Sequence, residues 1–103
     1  MEIGCGKGWF SNWLADRVPN VIGQDVLRYE LEIGTNIFAR SNLNFVLTEN
    51  VIRLIKKERP DLIVLNCSLQ YIDPNTNFLM KVKEALPPNC EIHIIDTPGL
   101  LFR

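Results

Sequence analysis

The chain has 103 residues, of which 47% are hydrophobic and 22% charged, and its formal net charge is −1. A single globular domain of this size buries a modest core, and the near-neutral charge gives no overall electrostatic basis for binding nucleic acid or an anionic membrane. No apolar run approaches the roughly 18 residues of a membrane span, and the start lacks the features of a signal peptide. We therefore expect one domain over residues 1–103, located in the cytoplasm.

Five short apolar runs predict five β-strands along the chain. Several of the runs are dense enough in apolar residues to be buried on both faces, as the strands of a parallel sheet are. The runs lie at residues 3, 21–22, 45–47, 62–65 and 92–95.

Four segments between the runs carry apolar residues at helical spacing. In chain order these stripes are Trp9, Phe10, Trp13 and Leu14; Leu27, Leu31, Gly34 and Phe38; Val51, Leu54 and Ile55; and Phe78, Val82, Ala85 and Leu86. Pro19, Pro60 and the pair 87–88 would stop the first, third and fourth helices, because proline does not continue a helix. Asp73 and Pro74 are the expected cap and first turn of the fourth helix.

Strands that alternate with helices predict an α/β architecture, a mostly parallel, doubly wound sheet with helices on both faces. Ligands of such sheets bind outside the carboxyl ends of the strands, where the strand order reverses. The expected central strand, at Ile3, begins almost at Met1. We therefore expect the chain to be a fragment of a longer protein.

The most informative segment joins the first strand to the first helix and reads EIGCGKG, residues 2–8. Gly4, Gly6 and Gly8 at alternate positions let the backbone approach a ligand without a Cβ clash. The next apolar run ends on Asp25, and a carboxylate at the end of a strand suits the hydroxyls of a ribose. Together the two segments predict a nucleoside site.

Spacing separates the kinds of nucleotide site that such glycines can form. A P-loop requires Ser or Thr after its lysine, whereas Lys7 is followed by Gly8 and Trp9, so this class is excluded. A dinucleotide fingerprint would place its third glycine at position 9, where Trp9 stands, although Asp25 would fit its acidic partner. An NAD(P)-dependent oxidoreductase is therefore weakened as an alternative but stays open.

The remaining pattern, an acid followed by glycines at alternate positions, resembles the first motif of the class I S-adenosylmethionine (SAM)-dependent methyltransferases. The resemblance extends along essentially the whole chain. VIGQD is similar to the family's second strand, NFVLTEN to its third, DLIVLNCSLQYI to its fourth strand and following loop, and FLMKVKEALPPNCEIHIIDTP to the helix, turn and fifth strand. It implies a three-layer Rossmann-like fold truncated at both ends, with about five parallel strands in the order 3-2-1-4-5, and SAM as the cofactor.

The resemblance also implies roles for individual residues. The glycine segment, Cys5 included, would pass beneath the methionine part of SAM, and the helix that opens at Gly8 would offer N–H groups to its carboxylate. Glu2 would contact the ammonium of the ligand, although an exposed charge explains Glu2 equally well. Asp25 would bind the ribose hydroxyls through charge-assisted hydrogen bonds. Val26 would pack on the adenine, unless it is buried in the core.

The loops after the third and fourth strands would complete the site implied by the resemblance. Glu49 or Asn50 would meet the adenine amino group, unless they cap the helix that follows. Asn66 and Cys67 would end the fourth strand, where the backbone faces the reacting methyl group. Tyr71 would line the acceptor side, unless it packs over the sheet.

The expected function is transfer of a methyl group from SAM to an acceptor. The sulfonium of SAM already activates the methyl group, so the protein mainly positions the acceptor and excludes water, and we predict no catalytic residue. A non-catalytic SAM-fold module is the alternative from another class. A small molecule is the favoured acceptor, RNA and protein stay open, and neither DNA nor a membrane is expected as a partner. The exposed sheet edge after the fifth strand would allow a homodimer.

Several other residues are assigned structural roles. Cys5, Cys67 and Cys90 lack the spacing of a disulfide framework or a zinc site, so we expect reduced thiols and no metal. His93 is expected to pack within the fifth strand, and the basic run at 53–59 to form a solvated helix face. Asn89-Cys90 stands where the family commonly has two glycines, and asparagine tolerates the left-handed conformation needed there.

Overall fold

The structure, a computed structural model, describes residues 1–72 and 74–95. The elements within these residues are, in chain order, β1 (Glu2–Ile3), α1 (Trp9–Ala15), β2 (Val21–Asp25), α2 (Arg28–Ile37), β3 (Leu43–Leu47), α3 (Val51–Glu58), β4 (Leu62–Asn66), α4 (Phe78–Ala85) and β5 (Glu91–Ile95). Two single 3-10 turns, Leu69–Tyr71 and Pro74–Thr76, lie between β4 and α4. None of the helices in this described part is long and apolar enough to span a bilayer.

The five strands form one sheet in the order β3-β2-β1-β4-β5, and every neighbouring pair is parallel. The predicted strands, their order and their parallel pairing are therefore confirmed. The central strand β1 has only two residues, but Met1 extends its pairing. The Met1 amino group donates to the Leu62 carbonyl at 2.9 Å, and the Val64 N–H donates to the Met1 carbonyl at 2.9 Å.

Apolar side chains cover both faces of the sheet and make the three layers that the alternation of elements predicts. On one face α3 and α4 bury Ile55 and Val82 against Ile63 and Leu65 of β4. On the other face α1 packs onto β2, with Leu14 in the buried cluster. The stripe predicted for α3 is buried as expected, since Val51, Leu54 and Ile55 are the buried residues of that helix.

The helical spacing of the two tryptophans of α1 does not correspond to its buried face. Trp9 is 65% exposed and Trp13 48% exposed, and the buried residues of the helix are Ser11, Leu14 and Ala15. Small side chains at 11 and 15 let the helix backbone approach the sheet, which turns the large rings outward. Trp9 packs edge to face on the Phe38 ring, in the segment after α2. The Arg17 guanidinium lies over Trp13, with its carbon 3.7 Å from the centre of the Trp13 ring.

The start of α4 also differs from the prediction. The helix begins at Phe78, because Asn77 has a left-handed backbone with φ 54° and separates it from the 3-10 turn at Pro74–Thr76. Pro74 is therefore not in the first turn of α4, and Asp73, the predicted cap, lies outside the described residues. Asn89 has φ 67°, which confirms the left-handed conformation expected before the fifth strand.

His93 is not a packing residue, contrary to the prediction. Its side chain is 56% exposed on β5, the edge strand of the described sheet, and its Nε2 lies 3.0 Å from Glu91 Oε2. Cys5, Cys67 and Cys90 all lie in the described part of the chain, and no disulfide joins them. The burial of Cys5 agrees with its expected role as a small apolar group.

Candidate functional site

A cavity of about 540 Å³ opens at the carboxyl ends of the central strands, between the segments that follow β1, β2 and β4. This is where the strand order reverses, since β1 is followed in the chain by β2 on one side and paired with β4 on the other. The volume lies within the range of small-molecule and cofactor sites. The wall is formed by the glycine turn, the end of β2, the start of α2 and the loop beyond β4, together with Val51 and Phe78 at the starts of α3 and α4.

The glycine turn contributes its backbone to the wall, and its glycines serve different purposes. Gly6 has φ 57° and lines the cavity, and a Cβ built on it would meet no atom within 4 Å. Gly8 has φ 89°, and a Cβ there would lie 2.4 Å from Cε1 of Phe45. Gly8 is therefore required for packing, whereas Gly6 leaves open space where a ligand would pass.

Asp25 ends β2 and lines the cavity with a carboxylate that is only 8% exposed. Its Oδ1 accepts hydrogen bonds from the N–H groups of Val26 at 2.7 Å and Leu27 at 3.1 Å, and its Oδ2 accepts from the Gly6 N–H at 2.7 Å. The same carboxylate thus fixes the entry into α2 and ties β2 to the glycine turn. The structure brings Gly6 and Asp25 together as the sequence predicts.

The N–H groups predicted to serve a ligand carboxylate are partly engaged within the protein. The Gly8 N–H donates to the Cys5 carbonyl at 3.0 Å, and the Gly6 N–H is held by Asp25. Helix α1 has seven residues and begins at Trp9.

Glu2 does not line the cavity. Its side chain is 2% exposed and lies behind the glycine turn, where Ser11 Oγ of α1 donates to Glu2 Oε1 at 2.6 Å. Burial raises the pKa of Glu2 to about 7, and the negative charge of Asp25 adds to this effect, while the Ser11 hydrogen bond opposes it. Burial likewise raises the pKa of the Cys5 thiol, so this side chain stays protonated.

The other predicted site residues divide between the cavity wall and its surroundings. Val26, Cys67 and Tyr71 line the cavity together with Gly4, and Tyr71 is 82% exposed. Side chains that do not line it are those of Cys5, Glu49, Asn50 and Asn66. Asn50 caps α3 instead, since its Oδ1 accepts from the Arg53 N–H at 3.0 Å. Val51 is the residue of that segment on the wall.

Three polar residues on the wall, Gln24, Glu30 and Ser68, were missed by the sequence reasoning. Gln24 is 2% exposed, and an amide beside Asp25 at the end of a buried strand was the signal that could have indicated it. Glu30, in the first turn of α2, pairs with Lys7 of the glycine turn, with 3.2 Å between Nζ and Oε2. No group of three His, Cys, Asp or Glu side chains within residues 1–72 and 74–95 is arranged to hold a metal ion.

Solved structures with the same architecture define the class of fold. A SAM-dependent methyltransferase from Anabaena variabilis superimposes with a TM-score of 0.76 at 22% identity, over 90% of this chain and 41% of the other. The DhpI-SAM-HEP complex gives a TM-score of 0.73 at 16% identity, over 96% of this chain and 46% of the other. The chain therefore has the class I SAM-dependent methyltransferase fold.

Sequence comparison then gives the family. Residues 1–99 match the family described as a methyltransferase domain, and the chain belongs to this family. Among curated proteins it is similar to a malonyl-[acyl-carrier protein] O-methyltransferase from Halalkalibacterium halodurans, at 27% identity over 86% of this chain. A second such enzyme, from Ilyobacter polytropus, is 28% identical over 85% of this chain. The chain spans about a third of these relatives, since it covers 35% of each.

Proposed function

We propose that the cavity binds SAM and that the chain is the cofactor-binding core of a SAM-dependent methyltransferase. The observation that carries this proposal is the Asp25 carboxylate at the end of β2, facing the cavity beside the open space above Gly6. A buried acid next to a backbone with no side chain suits a ribose whose neighbouring groups pass close to the turn. The family and the fold support the same assignment.

The donor set at Asp25 fits a ribose hydroxyl. An ionised carboxylate offers about four lone-pair sites, and the N–H groups of Gly6, Val26 and Leu27 occupy three of them. One hydroxyl would therefore bind without rearrangement, and a second would compete with the Gly6 N–H. Asp25 and Glu30 also place carboxylates on the cavity wall, which suits a ligand with a sulfonium and an ammonium.

When bound, SAM supplies the methyl group already activated by its sulfonium. The chain's own residues would hold this ligand through Asp25 and the Gly6 backbone and would exclude water from its apolar side with residues such as Val26 and Val51. Tyr71 and Cys67, beyond β4, would face the acceptor. No proton transfer is assigned to any side chain.

The cofactor assignment is tested by isothermal titration of SAM and, separately, NAD into the purified chain. Asp25→Asn keeps an acceptor for Val26 and Leu27 but loses the charge, and we expect about a 10- to 100-fold weaker SAM affinity, as for one lost charge-assisted hydrogen bond. Asp61→Asn is the matched control, an exposed residue before β4 at the opposite end of the sheet, and should bind as wild type does. Failure of the folded wild type to bind millimolar SAM would refute the proposal, and binding of NAD instead would support the oxidoreductase.

For the acceptor, we propose an oxygen on a small acyl group, with malonyl-[acyl-carrier protein] as the first substrate to test, because both curated relatives are named for its O-methylation. The assay follows radiolabelled methyl groups from SAM to this substrate, with RNA and a protein extract as comparisons. Transfer to RNA, or to proteins of the extract at sites other than a carrier-bound acyl group, would overturn the acceptor assignment. Binding of SAM without transfer to any of them would favour the non-catalytic module. The cytoplasmic location and the homodimer through the β5 edge stay predictions.

A further inference from the structure

Gln24 joins the two loops that flank the end of β2. Its Oε1 accepts a hydrogen bond from the Gly4 N–H at 3.1 Å, and its Nε2 donates to the Thr48 carbonyl at 2.6 Å. Gly4 begins the glycine turn after β1, and Thr48 follows β3, so the amide connects backbone on both sides of its own strand. The side chain is 2% exposed and lines the cavity.

Backbone pairing alone leaves these loops less constrained. The ladders around β2 end with the Cys5 N–H donating to the Gln24 carbonyl at 2.8 Å and the Thr48 N–H donating to the Asp25 carbonyl at 3.1 Å. The Gly4 N–H and the Thr48 carbonyl are instead bound by the Gln24 side chain, at the level where the cavity opens. The amide therefore fixes the distance between the glycine turn and the loop after β3 on the side that a ligand would enter.

We propose that Gln24 is a positioning residue that holds the glycine turn and the loop after β3 at the separation a bound SAM molecule requires. The inference rests on the proposed function of the cavity. The glycine turn lines the cavity at Gly4 and Gly6, and the segment after β3 lines it at Val51, so a ligand there would contact both. A wall already in place binds such a ligand without the entropic cost of ordering two loops. A glutamine is suited to this, because one amide offers both an acceptor and a donor.

The test compares Gln24→Met with Asn42→Leu. Gln24→Met keeps the length of the side chain but removes both hydrogen bonds. Asn42 precedes β3, at the opposite end of that strand, and its Nδ2 donates to the carbonyls of Ala15 at 2.7 Å and Val18 at 3.2 Å. Both variants lose two bonds from a side-chain amide to backbone, and only one of them adjoins the cavity.

We expect both variants to unfold at lower temperature, because each removes the partners of partly buried backbone groups. The dissociation constant of SAM is then measured by calorimetry at a temperature where circular dichroism shows each variant fully folded. It should rise about tenfold or more in Gln24→Met and stay at the wild-type value in Asn42→Leu. A merely structural role would lower the melting temperature of Gln24→Met and leave its dissociation constant unchanged, which would overturn the proposal.

Gln24→Glu provides a second variant that does not depend on the folding of Gln24→Met. Its carboxylate keeps an acceptor for Gly4 but presents oxygen to the Thr48 carbonyl, and only the protonated acid restores the donor. Its SAM affinity, divided by that of wild type at the same pH, should recover as the pH falls from 8 to 5. A constant ratio would count against the positioning role. Failure of wild type itself to bind SAM would instead refute the function proposed for the cavity.

Discussion

The buried Glu2 carboxyl should make the stability of the domain decrease as the pH rises. Glu2 is 2% exposed, and burial is the largest cause that raises its pKa from 4.5 to about 7. The Ser11 hydrogen bond and the Met1 ammonium lower the pKa, and Asp25 raises it further. The substitution that isolates this group is Glu2→Gln, because the amide oxygen still accepts from Ser11 Oγ and no longer titrates.

The sign and the size of the effect follow from the two pKa values. Between pH 4.5 and about 7 a larger fraction of the Glu2 carboxyl is protonated in the folded state than in the unfolded state. The stabilisation is therefore complete below pH 4.5 and is lost as the pH rises through about 7. The full difference is about 3 kcal/mol at 1.36 kcal/mol per pKa unit, of which about 2–3 kcal/mol falls between pH 5 and 8.

Urea unfolding of wild type and Glu2→Gln at pH 5, 6, 7 and 8 measures this effect. The free energy of unfolding of wild type should fall by about 2–3 kcal/mol relative to Glu2→Gln over this range. Glu58→Gln, which changes an exposed carboxylate at the end of α3, is the control and should follow wild type. A gap between wild type and Glu2→Gln that stays constant from pH 5 to 8 would show that Glu2 is hydrated, and the reasoning from its burial would fail.

Two further predictions concern residues with left-handed backbone. Gly8→Ala should lower the free energy of unfolding by about 2–5 kcal/mol, because its φ is strained for alanine and its Cβ would lie 2.4 Å from Phe45. Gly6→Ala has open space around its Cβ, so it should lower the free energy of unfolding by only about 1–2 kcal/mol and mainly weaken SAM binding. Equal losses of stability in urea unfolding would contradict this difference. Arg59→Gly should raise stability by about 0.5–1 kcal/mol, because Arg59 ends α3 with φ 47°, a conformation that glycine adopts without strain. A lower melting temperature in that variant would show that the Arg59 side chain makes a larger contribution than its backbone strain.

The sheet was predictable from sequence because its signal is local. Dense apolar runs mark buried strands whichever face they present, and the parallel pairing follows from the helices between them. The face that a short helix buries was not predictable in this way, because it depends on the surface against which the helix packs. Trp9 and Trp13 have the right spacing for a buried stripe, yet the sheet accepts Ser11 and Ala15 instead.

The candidate site divides in the same way. Gly6 and Asp25 were predictable because a glycine turn and an acid at the end of a strand can each be recognised from a few consecutive residues. The role of Gln24 was not, because its partner Thr48 lies 24 residues away and only the packed sheet brings the two together. The burial of Glu2 was also missed, since it depends on how α1 packs, which brings Ser11 Oγ within hydrogen-bond distance of the Glu2 carboxylate.

The glycine turn after the short central strand is held in place by packing against α2 and β3. A Cβ on Gly34 of α2 would lie 2.2 Å from the Lys7 carbonyl oxygen, and a Cβ on Gly8 would lie 2.4 Å from the Phe45 ring of β3. The glycine turn is therefore packed tightly between α2 and β3. The position of the glycine turn therefore depends on Gly34 and Phe45, neither of which lines the cavity.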